Sequence, residues 1–259
     1  MNEKTLKKTA LVTGASSGIG KALVVELLSQ GYKVLGVSRS QNNLTKLHKD
    51  LDSADLSIFA CDVSNMEEVE ELFRSLQENQ TVPKLFFLNA GIAGQAAMET
   101  IDFLDLEAHR KIFHVNYYGV LHFVKLWLEP CKKQGGATFM VSSSINAIFA
   151  PPGGSGYSAS KAAIAKAFDG LRLAHRSSNL HFLNVFCGPV DTPGLAGKLP
   201  FTWSSEKMAK YMIKKTEPGS GQCYPSWFYS SLSRLLNKLP TDWTLKILKW
   251  LSRPKEIAK

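Results

Sequence analysis

Thr9-Ala10-Leu11-Val12-Thr13-Gly14-Ala15-Ser16-Ser17-Gly18-Ile19-Gly20 is the stretch from which the fold is read. Its first five residues form a short apolar run suited to a buried strand, and three glycines follow within the next seven positions. Residues 19–30 then repeat apolar positions at Leu23, Leu27 and Leu28, one face of a helix that Gly31 stops. Lys33-Val34-Leu35-Gly36-Val37 reads as a second strand, at the spacing of a strand–helix–strand unit with a parallel crossover. In that setting each glycine has a task. Gly14 permits the tight turn, Gly18 lets the backbone approach a diphosphate, and Gly20 lets helix close on strand. The helix N-terminus offers unpaired N–H groups and the positive end of its dipole to the phosphates.

The alternation continues with strands expected at 57–60, 84–88, 137–141 and 181–186, and helices at 66–77, 107–132 and 158–177. This pattern predicts an α/β chain, a Rossmann-like doubly wound parallel sheet in a single domain spanning 1–259, with a C-terminal amphipathic helical extension. Gly and Pro at 151–156 mark a turn within that domain. After Asp191 the regular alternation ends, and residues from about 193 to 259 are expected to supply a substrate lid and basic, aromatic helices.

Composition narrows the class. A 259-residue chain with 44% hydrophobic residues is long enough for one well-buried core. Cys61, Cys131, Cys187 and Cys223 are scattered without metal-ligand spacing, so no metal site and no disulfide framework is expected. The N-terminal lysines precede an apolar run that Gly14 and Gly18 interrupt too early for a signal peptide, and no window is apolar for about 18 residues. A cytoplasmic location is the expectation. Of the formal charge of +9, residues 206–259 carry +7.

The segment TGASSGIG resembles the TGxxxGxG signature of the short-chain dehydrogenases/reductases. The likeness extends through Asp62-Val63, Asn89-Ala90-Gly91, Asn116 with Gly119, Ser144, Tyr157-Ser-Ala-Ser-Lys161 and Gly188-Pro189-Val190-Asp191-Thr192, covering roughly residues 9–193. It implies a nicotinamide cofactor in contact with Gly14, Ser16, Ser17, Gly18, Ile19, Gly20, Ser38, Arg39, Asp62, Val63, Asn89, Ala90, Gly91, Tyr157, Lys161, Pro189, Val190 and Thr192. Asp62 would accept from the adenine amino group with Val63 beside the ring, although Asp62 also suits the cap of a helix starting near Ser64. Asn89 would tie neighbouring strands together and Gly91 would leave the cofactor room. Thr192 would meet the nicotinamide carboxamide. The family's usual proline before this last glycine is replaced by Cys187, which loosens a rigid φ. A reactive thiol there finds no adjacent base in the sequence.

Ser38-Arg39 ends the second strand. A carboxylate there would accept ribose hydroxyls and repel a 2′-phosphate, whereas a small neutral residue and a guanidinium favour NADP(H). Arg39 as a merely solvated loop charge is the competing reading.

Tyr157 and Lys161 are four apart and share a helix face. Alone, the pair is compatible with any amphipathic helix. Behind the glycine turn and the upstream serine it reads as an acid/base site. A nearby ammonium and an oxidised nicotinamide favour the phenolate of an otherwise weakly acidic tyrosine. Ser144 stands 13 residues before Tyr157, as the resemblance requires, and its hydroxyl would bond the same substrate oxygen. Ser142 and Ser143 compete for that place, and strand alternation puts Ser142 on the same side. The resemblance assigns Asn116 to a water in the proton relay, against a plain helix-interior asparagine satisfying its own backbone.

The expected activity is NADP(H)-dependent interconversion of a carbonyl and an alcohol, with an apolar or lipid-like ketone or aldehyde as substrate. The alternatives are a catalytically silent cofactor-binding scaffold on the same fold and, less favoured in a short chain, an isomerase or epimerase. Family resemblance implies a homodimer or homotetramer built through the helices after Asp102 and Tyr157. In the tail, residues 226–239 and 241–251 carry apolar residues at helical spacing, with Lys246 and Lys249 on the other side of the second segment. They either pack on the domain and close the cleft, or rest peripherally on an anionic membrane surface. Nucleic acid is not an expected partner, because no binding motif accompanies the charge.

Overall fold

A computed structural model describes residues 7–92, 104–195, 199–216 and 221–251, leaving aside the side chains of 248–251. Its elements run β1 (Thr9–Thr13), α1 (Gly18–Ser29), β2 (Lys33–Ser38), α2 (Gln41–Leu51), β3 (Leu56–Ala60), α3 (Met66–Glu78), β4 (Leu85–Leu88), α4 (Leu106–Phe113), α5 (Gly119–Lys133), β5 (Ala137–Ser144), α6 (Ser155–Ala174), β6 (Leu180–Cys187), the short strands β7 (Val190–Asp191) and β8 (Trp203–Ser204), α7 (Ser205–Lys214), β9 (Gln222–Cys223), α8 (Trp227–Leu236) and α9 (Thr241–Leu251). Seven strands form one sheet in the order β3-β2-β1-β4-β5-β6-β9, every pairing parallel. The expected single-domain doubly wound fold is what the chain adopts. Because β1 is followed outward by β2 on one side and β4 on the other, the winding reverses there and opens a crevice beyond the carboxyl ends of the strands.

Both sheet faces are covered, which explains why the strands read as continuous apolar runs. On one face Leu23 and Leu27 of α1 pack with Met208 and Met212 of α7 over Val12, Met140 and Val185. On the other, Phe86, Phe139 and Phe182 stack side by side across β4, β5 and β6 with centroids 4.5 and 5.3 Å apart, capped by Trp127 of α5 and Phe168 of α6. Each such ring, fully buried, contributes roughly 1.5–3 kcal/mol.

Three departures from the sequence reading have physical causes. The helix expected over 107–132 is two helices joined by a π turn, His114–Tyr118, whose extra residue per turn shifts the buried stripe and turns Asn116 fully inward. Asp102, named with the helix expected to build the oligomer, lies outside the described residues. The stretch after Asp191 holds more framework than its composition suggests. Helix α7 packs on α1, and Gln222–Cys223 adds a seventh strand beside β6, held where Asp169 accepts bonds from Gln222 and Arg172 while Arg172 donates to the Gly221 carbonyl. Helix α8 turns serines inward. Ser226, Ser230 and Ser233 are buried together with Leu236 while Trp227 and Leu235 are exposed, so only part of its apolar set packs on the domain.

Candidate active site

A cleft of about 790 Å³ opens where β1, β4, β5 and β6 end. Its wall takes Gly14, Ser17, Gly18 and Ile19 from the first turn, Asn89, Ala90 and Gly91 from the second, Ser144, Tyr157 and Lys161 from β5 and α6, and Pro189, Val190 and Thr192 beyond β6. Ser16, Ser38, Arg39, Asp62 and Val63 lie outside this lining, around the carboxyl ends of β2 and β3. Gly20 and Asn116 stand behind it.

The glycine turn is fixed by volume. A Cβ on Gly20 would sit 2.0 Å from the Gly14 carbonyl oxygen, and one on Gly14, at φ +68°, would sit 3.0 Å from Ala90 Cα. Thr13 Oγ1 accepts from the backbone N–H groups of both Asn89 and Ala90 at 3.0 Å, locking the turn to the end of β4. That role for Thr13 escaped the sequence reading. Its only trace is a hydroxyl at the end of a buried strand. Asn89 ties strands as expected, its Oδ1 accepting from Ser142 Oγ at 2.9 Å.

Side-chain caps are present on some helices and absent from others. Ser40, Asn65, Asp105, Ser204 and Ser226 cap α2, α3, α4, α7 and α8 through their side chains. Ser17 makes no such bond at α1, nor does Gly154 at α6. The first-turn N–H groups of α1 therefore keep their donors for a ligand in the cleft, and the glycine cradle fits a dinucleotide diphosphate there.

Around β2 and β3, Ser16 Oγ and Ser38 Oγ lie 2.8 Å apart, and Arg39 is exposed next to them in sequence. Asp62 accepts at Oδ1 from the N–H and hydroxyl of Ser64, while α3 is capped by Asn65, so the cap reading for Asp62 is replaced by a local turn. Val63 is buried against α5, where a Cβ on Gly119 would approach its Cγ2 to 2.8 Å.

Hydrogen bonding separates the three serines of β5. Ser142 Oγ donates to Asn89, and Ser143 Oγ donates to the Lys161 carbonyl at 3.2 Å. Ser144 Oγ accepts from Asn146 N–H at 3.1 Å and stands close enough to the Tyr157 phenol to lower its pKa. Lys161, 6% exposed, donates its Nζ to the Ser142 carbonyl at 2.7 Å and lies 5.8 Å from the centre of the Tyr157 ring. Burial pushes the Tyr157 phenol up to about 12, the Ser144 hydroxyl opposing, and pushes the Lys161 ammonium down to about 8. The dominant influence of the surrounding protein on Tyr157 is thus desolvation, which favours the protonated acid.

Asn116 does not bond the backbone of its own helix. Its side chain bonds the backbone of Ile92 at both ends, Oδ1 accepting at 2.7 Å and Nδ2 donating at 3.1 Å, and Nδ2 also reaches Ser160 Oγ. It pins the loop after β4 to α6 rather than capping its own helix. The space a Cβ on Gly91 would take is bounded by Asn116 Oδ1 and Lys161 Nζ. Cys187 closes β6 in register with Ser144, so strand pairing holds the backbone that a proline ring would otherwise fix. Its thiol, pushed up to about 12 by burial, stays protonated and inert at neutral pH.

The outer wall adds Ile145, Leu195, Leu199 and Tyr229, none of them singled out individually by the sequence, although the last three fall in the segment expected to supply a lid. Tyr229 arrives from α8, and its hydroxyl donates to the Pro200 carbonyl at 2.6 Å. Among the described residues no cluster suits a metal ion.

Residues 8–200 match the family model described as short chain dehydrogenase. An uncharacterized oxidoreductase of Staphylococcus haemolyticus is 30% identical over 72% of this chain and 79% of its own. The NADPH-dependent 1-acyldihydroxyacetone phosphate reductase of Saccharomyces cerevisiae is 31% identical over 77% and 66%. A short-chain dehydrogenase from Streptomyces avermitilis superposes with a TM-score of 0.80 at 19% identity, over 95% of this chain and 97% of that one, and so shares the fold. Matched over most of its length, with the glycine turn and the Ser144, Tyr157 and Lys161 cluster on one cleft, the chain belongs to the short-chain dehydrogenase family of oxidoreductases.

Proposed function

We propose that this oxidoreductase uses NADP(H) to interconvert a carbonyl and an alcohol, acting as a reductase on an apolar, lipid-like ketone or aldehyde. The observation that carries the reading is the convergence of Ser144, Tyr157 and Lys161 at one end of the cleft whose other end is the glycine turn. Bound NADPH supplies the hydride.

The chain's own residues do the rest. Tyr157, protonated across the physiological range, donates its proton to the carbonyl oxygen. Ser144 Oγ, preorganised by the Asn146 N–H, donates a hydrogen bond to the same oxygen and orients it. Lys161 lies near enough to both Tyr157 and the Gly91 backbone to hold the nicotinamide ribose hydroxyls and to favour proton return to the phenol. Asn116 acts as a positioning residue through Ile92 and Ser160.

Support for NADP(H) over NAD(H) comes from the neutral Ser16–Ser38 pair beside exposed Arg39, which leaves no carboxylate at the end of β2 to repel a 2′-phosphate. The yeast relative's name also specifies NADPH. Support for an apolar substrate comes from Ile145, Leu195, Leu199 and Tyr229 on the outer wall, and that relative's named substrate is itself a lipid. Residues beyond about 193 act here partly as the lid, through Leu195, Leu199 and the α8 tyrosine, in a single catalytic domain spanning 1–259. The proposal includes a cytoplasmic homodimer or homotetramer, with the C-terminal helices in peripheral contact with membrane.

The test is an NADPH-oxidation screen across carbonyls of graded chain length, repeated with NADH. Turnover that rises with chain length and prefers NADPH is expected. A clear NADH preference overturns the cofactor assignment, and absence of turnover with every carbonyl overturns the reaction.

A further inference from the structure

The surface around the cleft mouth inverts the usual distribution of side chains. Helix α8 buries serines and leaves Trp227 78% exposed, and Phe201, in the loop tied to α8 by the Tyr229–Pro200 bond, is 68% exposed. The Phe201 and Phe228 rings lie 5.1 Å apart, with the Trp227 ring 6.3 Å beyond Phe228. Leu199, next to this set in the loop, belongs to the cleft wall, so the exposed aromatic rim is continuous with the interior of the cleft. An exposed apolar patch at the mouth of a ligand cleft marks an interaction surface.

The charges indicate what it meets. Trp227, Arg234 and Leu235 fall at i, i+7 and i+8 and so share one exposed face of α8. Lys238 and Lys246 are exposed as well and make no ion pair among the described residues, whereas the Arg234 guanidinium lies 4.4 Å over the centre of the Tyr224 ring. Asp242 is the sole acid between 224 and 251. A second copy of the chain, docking face to face, would bring these cations against their own images, and interface cores exclude lysine. Exposed aromatic rings accompanied by an excess of cations are instead the pattern that a headgroup layer accepts, the rings in the interface and the cations toward anionic lipid.

We infer that the rim formed by Phe201, Trp227 and Phe228, with the cations of α8 and α9, docks on an anionic bilayer so that the cleft mouth faces the lipid. The apolar carbonyl then enters from the membrane rather than from water. This deepens the apolar-substrate reading and rests on it, but the docking itself is measured without substrate.

The experiment is co-sedimentation of the full chain with phosphatidylcholine vesicles containing phosphatidylserine and with phosphatidylcholine alone. Binding to the anionic vesicles that weakens with salt is expected. The double variant Phe201→Ser, Trp227→Ser should lower it by on the order of tenfold or more, and Trp243→Ser, at a ring 63% exposed on α9, should lower it further. Oxidation of NADPH with a short, water-soluble carbonyl stays unchanged in these variants, whereas turnover of a ketone embedded in the vesicles falls with binding. No sedimentation with anionic vesicles, or binding indifferent to the double variant, overturns the proposal. So does a double variant that changes the oligomeric state and leaves vesicle binding intact, which assigns the rim to a second copy. Failure of the soluble-carbonyl assay with vesicle binding retained overturns the reaction and not the docking.

Discussion

The two walls of the cleft are built by opposite means. The glycine-turn wall is set by exclusion, because a Cβ at Gly20 has nowhere to go, Thr13 fixes the neighbouring loop with two bonds, and α1 leaves its first N–H groups uncapped. The outer wall is tethered, because a loop and α8 meet through one tyrosine hydroxyl and a pair of rings. A diphosphate needs fixed donors at fixed distances. An apolar chain needs only a dry surface of adjustable width, and a tethered wall supplies that.

If that contrast is real, damage to the first wall costs far more than damage to the second. Gly20→Ala forces the Gly14 carbonyl out of place, and we expect a loss of roughly 3 kcal/mol or more, read as a drop in Tm on the order of 10 °C by circular dichroism, with cofactor binding lost. A variant as stable as the parent would break the comparison. The next effect is on pH dependence. With Lys161 at about 8 in the folded chain and 10.5 unfolded, the unfolded state holds more protons between those values, so this group makes the cofactor-free protein more stable as pH rises from 8 toward 10.5. Tyr157, raised from 10.0 to about 12, acts in the opposite sense and takes stability away above pH 10. Denaturant titrations at pH 8 and pH 10 should therefore show a gain in the parent, relative to Lys161→Met, on the order of 2–3 kcal/mol. Equal pH slopes in the two proteins would remove the buried-ammonium account.

Arg39→Ala comes third, raising the Michaelis constant for NADPH by about 10- to 100-fold, the worth of a charge-assisted phosphate contact, with little change for NADH. Parallel changes for both cofactors would return Arg39 to a solvated loop. Smallest is Tyr229→Phe, which deletes the Pro200 tether while keeping the ring. About a fivefold rise in substrate KM is expected, the worth of about one hydrogen bond, with the NADPH constant unmoved. A change in the NADPH constant instead would couple the walls that we describe as separate.

How far the sequence reached follows the same division. The strand Thr9–Thr13 was legible to the residue because lysines and Gly14 bound an unbroken apolar run, and the glycine turn announced its own geometry. Helix α2 went unread because its three leucines, Leu44, Leu47 and Leu51, are set among eight polar residues and make a narrow apolar stripe. The π turn was invisible because one inserted residue does not disturb helical spacing enough to see, although it decides that Asn116 faces Ile92. Two-residue β9 has no period to detect. Sequence spacing chose Ser144 over its neighbours, and the reason became visible only when Asn89 and the Lys161 carbonyl were seen to occupy Ser142 and Ser143. Tyr229 reaches the cleft through tertiary packing of α8, which no local pattern encodes.

The central claim is that Tyr157 is the proton donor at the reacting carbonyl. It is tested most directly by the NADPH-oxidation rate of Tyr157→Phe on a carbonyl the parent reduces, with the thermal midpoint checked to be unchanged. The account predicts a fall in kcat on the order of 10²- to 10⁴-fold. Turnover that persists at the parent's rate would contradict it.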